Sequence, residues 1–200
     1  MIFARMSPAR TIAGGLLLAI VFGGCATPIA NYTRNLCLPG AVAVTTRWDG
    51  QLHHVFERLW TAAGADIGFE DVAIVAVDGP ASLPTAWTCG DVRRTTVAFT
   101  VRALSRLNTF PEPDDLVAIT VAHELAHVVL HFRSLTKTTD TEEIEADTLG
   151  VYYFERAGYD CRRWARGDGY FMPIERRDAA AVACAGAKRG LRPPLPRRPF

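Results

Sequence analysis

Leu116-Val117-Ala118-Ile119-Thr120-Val121-Ala122-His123-Glu124-Leu125-Ala126-His127-Val128-Val129-Leu130-His131-Phe132 is apolar almost all round. A helix with no polar face belongs in the centre of a domain. Pro111, Pro113, Asp114 and Asp115 precede it and suit a first helical turn. Inside the run, His123 and His127 are four residues apart, just over one turn, so both imidazoles point the same way. His-Glu-x-x-His on a helix is the arrangement that holds one zinc ion, each nitrogen at about 2.0–2.1 Å. Glu124 is not a ligand in it. It leans over the open coordination position, takes a proton from water and passes it to a leaving amine. Composition alone produces the five-residue pattern in on the order of one chain in a few hundred of this length. The plainer reading is two histidines satisfied within a core. Two imidazoles and a carboxylate on one buried face are costly without a compensating charge, and a metal supplies it.

A catalytic zinc site needs a third protein ligand, and three residues compete for the place. His131 lies eight residues beyond His123, roughly 12 Å along a straight helix, too far for one ion to share. Glu143 and Asp147 are four apart on a following helix, predicted over 140–157, which Thr139 and Glu142 open as a capping box. The acidic start of that helix could be only a solvated face. Interleaved Ile144, Ala146, Leu149, Val151 and Tyr152 require it to pack on something. If it packs on the motif helix, Glu143 completes the site and Asp147 accepts a proton from an imidazole, fixing its tautomer. Glu145 points about 200° away from Glu143, so only one of the two faces the metal.

Upstream, Leu52, Val55, Phe56, Leu59 and Trp60 predict a helix over 51–63, ended by Gly64. Val72–Val77, closed by Asp78-Gly79-Pro80, reads as a strand and turn, and Thr95–Val101 as a second strand. Trp87–Gly90 is a loop or edge segment between them, and 101–107 turns helical. Downstream, Gly158 stops the helix after Ala157, and a last helix follows near Arg177–Lys188. The pattern predicts an α+β, mainly helical domain with a small β-sheet beside the motif helix.

The ends have their own logic. Arg5 and Arg10 precede the apolar run Thr11–Phe22, then Gly23, Gly24 and Cys25. Twelve residues span roughly 18 Å as a helix, short of a hydrocarbon core of about 30 Å. The pattern is a secretory signal, and the cysteine after two glycines resembles a bacterial lipobox, with Phe22 where Leu or Val is usual. Cys25 is then the lipidated first residue, or the cut falls nearby and leaves a free thiol. The expected organisation is a signal peptide over 1–24, a lipidated tether over 25–50, a metallopeptidase domain over 51–187 and a basic, proline-rich tail over 188–200. The tail, with Pro193, Pro194, Pro196 and Pro199, is expected to be disordered. Ala26 after Cys25 is compatible with outer-membrane sorting. Export puts Cys37, Cys89, Cys161 and Cys184 in an oxidising compartment, where two disulfides are expected in any of three pairings. With no C-x-x-C pair, a cysteine zinc site is disfavoured. The formal net charge of +1 gives no reason to expect nucleic acid as a partner.

Asp115-Leu116-Val117-Ala118 leading into His-Glu-Leu-Ala-His, then Glu143-Ile144-Glu145-Ala146-Asp147-Thr148-Leu149-Gly150, then Ala157-Gly158-Tyr159-Asp160, resembles the HtpX, BepA and CAAX prenyl protease family of zinc metallopeptidases. The resemblance covers about half the chain. It implies a zincin-like domain and an endopeptidase acting on protein or peptide substrates. It implies Glu143 as third zinc ligand, with Asp147 behind it. The segment before the motif helix lines the substrate cleft there, which maps onto Ala86, Trp87 and Thr88. A later basic contact to the site maps onto Arg176 or Arg177. Only fifteen residues separate His127 from Glu143, shorter than is usual in the family. The short gap and Val128-Val129-Leu130-His131 also resemble ImmA/IrrE-type metallopeptidases, which are cytoplasmic. The leader points instead to a lipid-anchored protein in the periplasm of the bacterial envelope, joined to the membrane through its N-terminus. A rival expectation is a non-proteolytic, zinc-binding envelope lipoprotein that holds clients or serves assembly.

Overall fold

Every residue from Leu116 to Leu130 is buried in the helix that carries the motif, which accounts for its lack of a polar face. A computed structural model describes residues 36–67, 71–90, 94–130, 139–167 and 172–194. The leader, Cys25 and His131 lie outside them. The described residues form an α+β fold of six helices and one four-stranded sheet. In chain order these are β1 (Val42–Ala43), α1 (Asp49–Ile67), β2 (Asp71–Asp78), β3 (Ala86–Gly90), β4 (Arg94–Thr100), α2 (Val101–Leu107), α3 (Pro113–Leu130), α4 (Asp140–Arg156), α5 (Arg162–Arg166) and α6 (Ile174–Ala187).

The sheet runs β1-β2-β4-β3. β2 and β4 are parallel, while β1 and β3 are antiparallel to their neighbours, so β3 forms one edge. The segment read as loop or edge is therefore an edge strand. Side chains alternate across the sheet. Val97 and Phe99 of β4 enter the main core with α1 and α3, and Ala98 faces a second cluster with Leu36, Val77, Leu83, Trp87 and Cys89. α3 lies between the sheet on one side and α1 and α4 on the others.

α4 reaches α3 closely because it presents little side chain there. Gly150 has no room for a methyl group: a Cβ would sit 2.6 Å from the Trp164 ring and 3.1 Å from the Ala122 carbonyl. The expected capping box at Thr139 and Glu142 is present. At the other end Gly158, at φ 84°, closes a Schellman turn: its N–H donates to Glu155 O and that of Tyr159 to Phe154 O. The Tyr159 ring stacks on Phe154 at 4.7 Å.

Several boundaries differ from expectation. α1 runs through Gly64 to Ile67, because Ala63 is buried in the core and Asp66 accepts from Tyr153 Oη at 2.8 Å, so tertiary contacts outweigh the glycine. α6 starts before Arg177, directly after Pro173. Residues 36–48, assigned to the tether, belong to the folded body. Leu36 is buried, β1 pairs with β2, and Cys37 is bonded to Cys89. The other disulfide joins Cys161 to Cys184, tying the start of α5 to α6. Residues 188–192, within the tail expected to be disordered, make contacts with the body. The Leu191 N–H donates to Gly186 O at 3.0 Å, Lys188 pairs with Glu155 at 3.1 Å, and Arg192 pairs with Asp66. Acidic partners on the body hold basic residues that the tail's proline content had seemed to leave loose.

Candidate metal centre

His123 and His127 stand one turn apart on α3 and turn their rings toward each other, with 3.0 Å between the two Nε2 atoms. Glu143, from the first turn of α4, closes the triangle. Its Oε2 is 3.3 Å from His123 Nε2 and its Oε1 is 3.5 Å from His127 Nε2. Ligands at 2.0–2.1 Å around a tetrahedral ion must lie about 3.3 Å from one another. The observed separations are of this size, each imidazole nitrogen lying nearest a different Glu143 oxygen, and the three residues can each offer one atom to a single ion. Among the described residues, His123, His127 and Glu143 form a group whose donors could share one ion, and Glu124 is not in it. Glu145 is exposed, and of the two glutamates it is Glu143 that faces the histidines.

Behind the triangle, Asp147 is fully buried. His123 Nδ1 donates to Asp147 Oδ1 at 2.9 Å, which leaves Nε2 to face the other donors. Arg176 of α6 grips the same carboxylate, Nε to Oδ2 at 2.5 Å and Nη2 to Oδ1 at 2.9 Å, and its Nη1 reaches Glu143 Oε2 at 3.0 Å. One guanidinium therefore orients both Glu143 and Asp147. Of the two arginines the family resemblance offered, Arg176 makes the contact. Nothing in the spacing singled it out, because its approach depends on how α6 docks.

Burial alone would push His123 down and Asp147 up. Hydrogen bonds from His123 to Asp147 and Glu143 more than offset this, and His123 is raised to about 9. Hydrogen bonds from His123 and Arg176 hold Asp147 below the usual carboxylate range. The acids around His123 thus favour a positive charge at that imidazole.

Glu124 shares the buried face of α3. Its Oε2 accepts from Thr88 Oγ1 at 2.8 Å, and its backbone carbonyl lies 3.1 Å from the same hydroxyl. Of the three residues assigned to a cleft, Ala86 and Thr88 lie on the helix-facing side of β3. Trp87 does not. Strand alternation turns its ring to the opposite face, where it is 8% exposed and its Nε1 donates to Leu36 O at 2.9 Å. Its side chain is a core residue, not a cleft wall.

Among the described residues, no helix is long and apolar enough to cross a membrane. A second acidic group, Glu155, Asp160 and Cys161, also lies close together, but its thiol is spent in the disulfide to Cys184. No protein-family model matches the chain, and comparison with curated proteins found no match.

Proposed function

We propose that the protein is a zinc-dependent endopeptidase of the bacterial cell envelope, built on a zincin-like domain. The observation that carries this reading is the convergence of His123 Nε2, His127 Nε2 and the Glu143 carboxylate, whose two oxygens lie 3.3 and 3.5 Å from one nitrogen each, with Glu124 on the same buried helix face but outside that group. A closed structural site has no use for such a carboxylate, whereas a hydrolytic one needs a base there.

When bound, zinc acts as a Lewis acid that polarises a scissile carbonyl and acidifies water. The protein does the rest. His123, His127 and Glu143 would hold the ion, Asp147 keeps the His123 proton on Nδ1, and Arg176 steadies the carboxylates of Glu143 and Asp147. Glu124 accepts a proton from water and delivers it to the departing amine. β3, an edge strand, offers backbone groups to which an extended peptide can add as a further strand.

The envelope location rests on Arg5, Arg10, the Thr11–Phe22 run and Cys25 as a lipidation site, with outer-membrane sorting after Ala26. Two disulfides using all four remaining cysteines support an oxidising compartment. Misfolded envelope proteins are the substrate class that suits this place.

Replacing Glu124 with Gln tests the chemistry. The zinc-loaded variant should keep its metal and its fold while cleavage of reduced casein falls at least about a hundredfold. A variant that cuts at the parental rate would overturn the base assignment.

A further inference from the structure

The edge strand does more than border the site. β3 is held on its outer face by two links to one short segment: Cys89 is bonded to Cys37, and the Trp87 indole donates to Leu36 O at 2.9 Å. Its inner face carries one hydroxyl, that of Thr88, 2.8 Å from Glu124 Oε2. That hydroxyl has one proton and two acceptors in reach. The carboxylate is the closer, and a charged acceptor makes the stronger bond.

We infer that Thr88 is a positioning residue for Glu124. Its hydroxyl donates to Oε2, fixes the rotamer of the carboxylate and leaves Oε1 to receive a proton. The inference rests on Glu124 being the general base proposed above. A glutamate side chain has three rotatable bonds, and its last torsion is broad. Held only by packing, its oxygens would sample several orientations. A hydrogen bond from a strand that is itself pinned on both sides of Thr88 removes that freedom before substrate arrives.

The test uses the zinc-loaded full chain and its Thr88→Val and Thr88→Ser variants, with Glu124→Gln as reference. Valine keeps the branched shape and deletes the hydroxyl; serine keeps the hydroxyl. Two readouts are taken: steady-state cleavage of reduced casein, and calorimetric binding of acetohydroxamate, a zinc chelator whose hydroxyl donates to the base without turnover. Thr88→Val should retain zinc and Tm, lose about ten- to hundredfold in kcat with KM almost unchanged, and bind the hydroxamate about tenfold more weakly, as Glu124→Gln should. Thr88→Ser should recover both. Parental kcat and hydroxamate affinity in Thr88→Val would overturn the inference. So would a lowered Tm with both preserved, which would make Thr88 a strand-to-helix latch alone. A parent that binds the hydroxamate but cuts no casein would count against the peptidase reading, while the hydroxamate series would still decide the role of Thr88.

Discussion

His123 is tied to its neighbours by a proton as well as by position. Because its pKa is raised from 6.5 to about 9, the proton stabilises the metal-free fold fully below pH 6.5, and that contribution is lost as pH rises through about 9. A metal ion must displace the same proton. Apparent zinc affinity should therefore climb with pH, by about tenfold per unit between pH 7 and 8.5, and level off above about 9. Chelator competition across that range checks it; a flat profile would mean that His123 is already neutral. The candidate donors were partly legible in the sequence: four residues place His123 with His127 and four place Glu143 with Asp147, but the choice of Glu143 over Glu145 rested on how the second helix packs and on the family resemblance. Arg176 and the bond from Thr88 were not legible as contacts. One depends on where α6 docks. The other depends on strand register, in which a shift of one residue exchanges Thr88 for Trp87.

Among the elements, α3 and α4 carry the site, and their separation decides whether it exists. The small residues Ala122 and Gly150 let them approach closely enough for Glu143 to reach the two rings. Gly150→Ala should cost about 1–3 kcal/mol of stability through overpacking. It should also weaken zinc binding, because the added methyl drives α4 away from Ala122 and carries Glu143 with it. Thermal melts and zinc titration of the variant check both effects, and an unchanged Tm would show that the contact is slack. The motif helix was legible from its unbroken apolar run, and α4 from its capping box and terminal glycine. Gly64 misled because a glycine's intrinsic cost of about 1 kcal/mol is easily outweighed by docking. α5 gave no signal: five residues are too few to display a period.

Across the molecule, the fold supports the site from three directions. The sheet edge meets α3 through Thr88, α4 supplies acids, and α6, tied back to α5 by Cys161–Cys184, supplies Arg176. The α+β class and the central place of the motif helix followed from hydrophobic patterning. The disulfide pairing did not, since four cysteines leave three choices until the chain is folded. Nor did the packing of Lys188, Leu191 and Arg192 on the body, because their anchors on Asp66, Glu155 and Gly186 are distant in sequence or invisible to composition. All of this organisation bears on one arrangement, a group of donors between two helices that could hold a metal ion. Elemental analysis of the purified full chain and of Glu143→Ala, each with both disulfides intact, tests it most directly. One zinc per chain in the parent, and little retained by the variant after dialysis against a weak chelator, is the predicted result. Equal zinc in both proteins, or none in the parent after zinc loading, would contradict it.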